Sequence, residues 1–217
     1  MKNYKLIIFD LDGTLLDTTN GVVESVIYTV RQLGLPEFTY KEYLSFIGPP
    51  IPNSFSNRYE LAGEDLKHAV TIFRDKYYEN TLFEAEPYPH IFDVFTYFKN
   101  NDIHTAVATY KVEYAALKVL QHFHFDDYTD IIFGADTENR LSKSDIIMKC
   151  VHKFNYPKEQ VLMIGDTMHD AKGAENLDID FLAVTYGFGF KKGEDLSQIK
   201  HVAVADTPLE IMDWFNV

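Results

Sequence analysis

The segment Lys5-Leu6-Ile7-Ile8-Phe9-Asp10-Leu11-Asp12-Gly13-Thr14-Leu15-Leu16-Asp17 constrains this chain most. Leu6 to Phe9 is a continuous apolar run, the pattern of a strand buried on both faces of a parallel sheet. It breaks off at Asp10 and Asp12, and Gly13 turns the chain. Two acids placed this way at the end of a buried strand aim at one small volume. Their repulsion is costly in a partly dry cleft unless a proton or a cation offsets it. A hard divalent cation such as Mg²⁺ takes oxygen ligands of this kind. The same letters also fit a surface Asp-X-Asp-Gly turn that merely ends a strand. The functional alternative is a carboxylate nucleophile with an acid/base partner beside it.

Beyond this strand, Asp17-Thr18-Thr19-Asn20 offers capping residues for a helix over Val22 to Leu33, which Gly34-Leu35-Pro36 stops. A short helix is expected over Thr39 to Ile47, then a stiff loop at Gly48-Pro49-Pro50-Ile51-Pro52, where prolines forbid a continuing helix. Asn53 to Ala62 and Glu64 to Asn80 read as two more helices. No strand signal lies between Thr18 and Pro87, so residues 18–86 read as an all-helical insertion.

After Pro87-Tyr88-Pro89 and a helix over His90 to Asn100, strands and helices alternate. Strands are expected at Ile103–Ala108, Ile131–Phe133, Val161–Ile164, Phe181–Val184 and His201–Ala205. Helices are expected at Val112–His122, Ser144–Asn155, Asp170–Leu177 and Pro208–Phe215. Such alternation builds βαβ units on a parallel sheet. The expected architecture is α/β, a Rossmann-like parallel core of residues 1–17 and 87–217 with a helical domain inserted at 18–86.

A length of 217 residues suits one such core with one insertion. No apolar run reaches the roughly 18 residues of a membrane helix. Met1-Lys2-Asn3-Tyr4 leads into a strand rather than a signal peptide. A single cysteine, Cys150, excludes an intramolecular disulfide and sits on an apolar helix face that favours packing over reactivity. A cytoplasmic location is the expectation. The net charge of −13 argues against nucleic-acid or anionic-membrane binding, since no basic stripe replaces counterions. Anionic phosphate stays possible where a metal and local cations invert the field.

Ligands of open α/β sheets sit beyond the carboxyl ends of the strands. There the chain carries Asp10 and Asp12, then Thr109-Tyr110-Lys111, then Lys143 before a helix, then Gly165-Asp166-Thr167-Met168-His169-Asp170. Singly, Thr109 reads equally as a helix N-cap, Lys143 as a solvated lysine, and Asp166 and Asp170 as first-turn acids. Jointly they converge on one rim.

In chain order these four segments resemble the motifs of the haloacid dehalogenase (HAD) superfamily. The inserted helices resemble its helical-cap branch, which includes phosphoglycolate phosphatases and 5′-nucleotidases. The resemblance implies a Mg²⁺-dependent phosphatase of a small soluble phosphate ester, acting through an aspartyl-phosphate. Asp10 is implied as nucleophile, Asp12 as acid/base, and Asp10, the Asp12 backbone carbonyl and Asp166 as metal ligands. Thr109, Lys143 and the backbone near Tyr110 are implied as phosphate ligands, Asp170 as a partner of Lys143 or of a metal-bound water, and Gly48 and Pro49 as leaving-group selectors in the cap. An acid at position 12 separates the chain from the superfamily's dehalogenases. The absence of an Arg beside the Gly-Pro loop sets it apart from β-phosphoglucomutases, which stand as the alternative together with a catalytically idle binding protein. A monomer or homodimer is expected. Tyr110 is bulkier than usual and is expected to narrow the pocket or touch the leaving group. His169 reads as solvent-facing or as a phosphate contact, and Gly187, Gly189 and Gly193 as a mobile flap.

Overall fold

The computed structural model describes residues 3–138 and 140–216, so Met1 and Lys2 of the N-terminal reading lie outside the described residues. The chain divides into two compact units, residues 1–17 with 87–217, and residues 18–86. The larger unit holds a six-stranded sheet of β1 (Leu6–Phe9), β2 (His104–Val112), β3 (Ile131–Ala135), β4 (Val161–Gly165), β5 (Asp180–Val184) and β6 (Ala203–Ala205). The spatial order is β3-β2-β1-β4-β5-β6, and every pairing is parallel. The strand order therefore reverses at β1, whose neighbours are β2 and β4. Crevices at such switch points are where open α/β sheets bind ligands.

Burial follows the alternation of the strands. Ile8, Ala106, Met163 and Phe181 face one side and pack with Ile146, Ile147 and Cys150. Those three belong to a helix at Lys143–Phe154, and the same layer includes Ala171 and Ala174 of a helix at Met168–Glu175. Cys150 donates its thiol to the Val107 carbonyl at 3.7 Å, and burial pushes its pKa up to about 12. It is a packing residue. On the other face the Phe9 ring meets, tilted, that of Phe95 at 4.9 Å in a helix at Ile91–Asn100, and Phe98 meets Phe215 of a helix at Pro208–Phe215.

The second unit contains α1 (Thr19–Gln32), α2 (Tyr40–Tyr43), α3 (Ile51–Tyr59) and α4 (Gly63–Lys76), with a 3₁₀ turn at Leu44–Phe46 and a π turn at Tyr77–Thr81. The larger unit continues the count with the helices just named, α5 (Ile91–Asn100), α7 (Lys143–Phe154), α8 (Met168–Glu175) and α9 (Pro208–Phe215), and with α6 (Glu113–His122). The centre of the second unit is aromatic. Phe46 meets Phe55 edge-on at 5.3 Å, Phe55 meets Phe73, and Phe73 stacks on Tyr77 at 5.4 Å. Each such pair adds about 0.5–1.5 kcal/mol beyond its burial.

Several boundaries differ from the sequence reading. The helix expected from Asn53 starts at Ile51 and takes Pro52 into its first turn, where a missing N–H breaks no helical bond. Thr18 stands at the N-cap of α1, but its hydroxyl makes no cap bond. A two-residue strand, Glu86–Pro87, ends the stretch expected to carry none. The second core strand runs on to Val112 through an irregularity between Ala108 and Val112, so Thr109, Tyr110 and Lys111 lie inside it.

Candidate active site

The site begins where β1 ends. The Asp10 amide donates to the Ile164 carbonyl at 2.9 Å, continuing the ladder one step past the strand. The turn that follows needs glycine twice over. Gly13 has φ +84°, and a Cβ there would run into the Asp166 carboxylate.

Three segments meet on Asp10. Lys143 opens α7, where Ser142 and Asp145 form a capping box that fixes the first turn. Its ammonium lies 2.6 Å from Asp10 Oδ1 and 2.6 Å from Asp170 Oδ1, with 133 residues separating Lys143 from Asp10. Asp170 also caps α8. Its Oδ2 accepts from the Thr167 amide at 3.0 Å and the Thr167 hydroxyl at 2.7 Å. The alternative of a solvated Lys143 is thus set aside, since its side chain is 3% exposed.

Asp166 is held from the far side by a loop. Its Oδ2 accepts the amides of Phe188 at 2.7 Å and Gly189 at 3.0 Å, and its carbonyl accepts the Phe190 amide at 2.7 Å. The Thr14 hydroxyl donates to Oδ1 at 3.4 Å. A Cβ on Gly187 would strike the Gly13 carbonyl and the Asp166 carboxylate. In the first half of the stretch expected to be a mobile flap, Gly187–Gly193, glycine is thus required for close approach.

Asp10, Asp166 and Asp170 each offer a carboxylate oxygen, and these oxygens lie within 4.8 Å of one another. All three residues are buried. Burial is the main force pushing the pKa of Asp10 up to about 8, with Asp170 and Asp166 adding to it and Lys143 opposing. Burial and Asp170 raise Asp166 to about 7 against the pull of the two loop amides. Burial disfavours the charge on Lys143, but Asp10 and Asp170 overcome it and raise its pKa. Three acids against one lysine leave the cluster short of positive charge. Its hard oxygen donors fit a divalent cation such as Mg²⁺.

Asp12 does not join that cluster with its side chain. Its Oδ1 pairs instead with Lys111 Nζ at 3.0 Å, both side chains being nearly buried. Thr109 is buried beside them, and its hydroxyl accepts the Lys111 amide at 3.1 Å. It is no helix cap, since Val112 holds that position at α6. Tyr110, expected to narrow the pocket or touch the leaving group, lies against Lys143 and His169. Its hydroxyl accepts the Lys143 amide at 3.0 Å, and its ring meets His169 edge-on at 5.3 Å. His169 is thus exposed but pairs with an aromatic ring.

Gly48 and Pro49 belong to the helical unit, in the loop between the 3₁₀ turn and α3, where Gly48 has φ +96°. The sequence reading missed Lys111 and the amides of Phe188 and Gly189. The only signal for the first was its place two residues after Thr109.

Residues 7–184 match the family model described as haloacid dehalogenase-like hydrolase. A 5′-nucleotidase from Pseudomonas aeruginosa is 32% identical, over 86% of this chain and 85% of its own length. Tyrosine-protein kinase PtkA of Mycobacterium tuberculosis is 30% identical, over 93% of this chain and 70% of its own. A phosphoglycolate phosphatase from Aquifex aeolicus is 26% identical, over 85% and 86%. Among solved structures, a haloacid dehalogenase-like family hydrolase from Streptococcus pneumoniae superposes with a TM-score of 0.90 at 31% identity, over 99% of this chain and 100% of its own. A parallel sheet with its acids at the switch point, read together with these kinships, leaves one assignment: the chain belongs to the haloacid dehalogenase-like hydrolases, as one of their phosphatases.

Proposed function

We propose that the protein is a Mg²⁺-dependent phosphatase that hydrolyses a small soluble phosphomonoester, phosphoglycolate-like or a nucleoside monophosphate, through an aspartyl-phosphate on Asp10. One observation carries this reading. Asp10 is clamped by Lys143 beside Asp166 and Asp170, while Asp12, two residues on, is kept apart by its own lysine. Two adjacent acids in different surroundings are free to take different tasks.

Asp10, Asp166 and the backbone carbonyl of Asp12 would hold Mg²⁺, with a carboxylate oxygen of Asp170 close by. The bound ion supplies positive charge that offsets the repulsion between a phosphate dianion and a carboxylate. Lys143 holds Asp10 Oδ1 and fixes the carboxylate for in-line attack. Asp10 bonds to phosphorus as the bond to the ester oxygen breaks, and Asp12 Oδ2 gives its proton to the departing alkoxide. Water then attacks the phosphoryl group, Asp12 takes its proton, and the bond to Asp10 breaks to release inorganic phosphate. Lys143 and the Thr109 hydroxyl bind the phosphoryl oxygens, with backbone N–H groups near Asp12 and Tyr110, as charge moves between them. Asp170 acts behind Lys143.

Residues 18–86 are proposed as the cap, with Gly48 and Pro49 selecting the leaving group by family resemblance. A cytoplasmic location and a monomer or homodimer are part of this proposal. Among the described residues no helix is long and apolar enough to cross a membrane.

The test is phosphate release with Mg²⁺ across phosphoglycolate, nucleoside monophosphates, sugar phosphates and pyridoxal phosphate. At least one ester is expected to turn over, and Asp10→Asn to lose more than about 10³-fold in kcat. Metal-loaded protein that frees no phosphate from any of them would defeat the reading. Interconversion of sugar phosphates without release would mark a mutase.

A further inference from the structure

We propose that Lys111 is a positioning residue for the leaving-group side of the site, acting through Asp12; the inference rests on the phosphatase reading above. Lys111 sits in the irregular stretch of β2 where register with β3 slips between Ala108 and Val112. A bulge of this kind re-aims side chains and is common beside active sites. Here it puts the Lys111 ammonium 3.0 Å from Asp12 Oδ1, with a side chain only 6% exposed. The Thr109 hydroxyl braces the same turn by accepting the Lys111 amide.

Burying an ammonium is expensive, and a buried ion pair is weak evidence of stabilisation. Its use here is geometric. With Oδ1 engaged by Lys111, Oδ2 is the oxygen of Asp12 left for the proton transfer. The ammonium also places positive charge 3.0 Å from the acid that, in the phosphatase reading, meets the ester oxygen as its bond to phosphorus breaks. Lys143 pairs with Asp10 and Asp170 and serves the nucleophile and the phosphoryl oxygens. The two lysines therefore divide the reaction between them, Lys143 at the attacking oxygen and Lys111 at the departing one.

This division predicts a dependence on the leaving group. An alkoxide needs the proton and the nearby charge, whereas p-nitrophenolate departs without either. The experiment compares kcat/KM of wild type, Lys111→Ala, Lys111→Met and Lys111→Arg on glycerol phosphate and p-nitrophenyl phosphate with saturating Mg²⁺, with thermal unfolding as a check on folding. The Ala and Met variants are expected to lose roughly 10²-fold on the alkyl ester and less than about threefold on the aryl ester, and Arg to recover at least about tenfold. Equal losses on both esters, no loss on the alkyl ester, or a gain on it would overturn the role of Lys111. If Ala does not fold, Met and Arg decide by the same ratio. Wild-type protein inactive on both esters and on every ester of the panel above would overturn the phosphatase reading itself, and this inference with it.

Discussion

The two units bury polar groups of different kinds. In the α/β unit the buried set includes Asp10, Asp12, Lys143, Asp166 and Asp170, all at the carboxyl edge of the central strands. In the helical unit the buried polar residues are hydroxyls, namely Thr18, Ser25, Thr29, Ser54 and Thr81. Its ion pairs reach into solvent on at least one partner, as with Lys67 and Glu64 at 2.6 Å or Lys76 and Glu24 at 2.6 Å. Three of these hydroxyls, Ser25, Thr29 and Thr81, find a backbone carbonyl nearby. Ser25 and Thr81 share a hydrogen bond at 2.6 Å, and both hydroxyls lie within hydrogen-bond reach of the Gly21 carbonyl, so one donates to its neighbour and the other to that carbonyl. Buried charges are a poor way to stabilise a fold. Their concentration in one unit separates the part organised for chemistry from the part organised for packing.

That contrast breaks most sharply at Lys143. Lys143→Ala leaves Asp10 and Asp170 without their shared partner, so urea unfolding at pH 8 should show a loss of about 3–5 kcal/mol. The kcat should fall about 10³-fold. A stable, active variant would mean that the cluster is not under charge stress.

Gly187→Ala tests whether the loop sets the geometry of Asp166. The added methyl would displace the loop from the Gly13 carbonyl and from the acid. Mg²⁺ affinity, read by titration calorimetry without substrate, should weaken roughly 10–100-fold. Unchanged affinity would remove the loop from the site.

The acids also predict a pH effect of definite sign. Burial raises Asp10 to about 8 and Asp166 to about 7. Metal-free folded protein therefore keeps protons there that the unfolded chain releases within the ordinary carboxylate range. Stability from these groups is fully present below that range and declines as pH rises towards 8. Mg²⁺ needs the ionised forms, so its stabilisation should grow over the same interval. Thermal scans should show a Mg²⁺-induced rise in Tm larger at pH 8 than at pH 5.5, by on the order of 5 °C.

The smallest effect belongs to the helical unit. Ser25→Ala should cost about 1–2 kcal/mol by leaving the Thr81 hydroxyl short of a partner. The kcat should stay within about twofold. A large loss of activity there would erase the distinction between the units.

Much of the core was legible because its signals are local. The apolar run before Asp10 names β1, and the strand–helix alternation names the sheet. A rule of fold then brings Asp10, Lys143, Asp166 and Asp170 to one edge. What escaped reading depends on backbone irregularity. The bulge in β2 decides that Lys111 reaches Asp12 and that Tyr110 turns to the Lys143 amide, and no spacing in Thr109-Tyr110-Lys111 announces it. Gly187 and Gly189 carry the same letters whether a loop is mobile or pressed against a carboxylate. Pro52 reads as a helix breaker by composition and is a first-turn residue by position.

The placement of β1 has a consequence for how the protein comes into being on the ribosome. Its hydrogen-bonding neighbours pair Leu6 with His104 on one side and with Val161 on the other, and Thr14 reaches Asp166 across 152 residues of sequence. At synthesis rates of about 5–20 residues per second, the strand bearing the nucleophile waits many seconds for its flanks. Throughout that interval a nascent chain carries its reactive carboxylate without its lysine, its fellow acids or its loop. Hydrolytic competence should therefore switch on late and all at once, after the Gly187–Phe190 stretch has emerged.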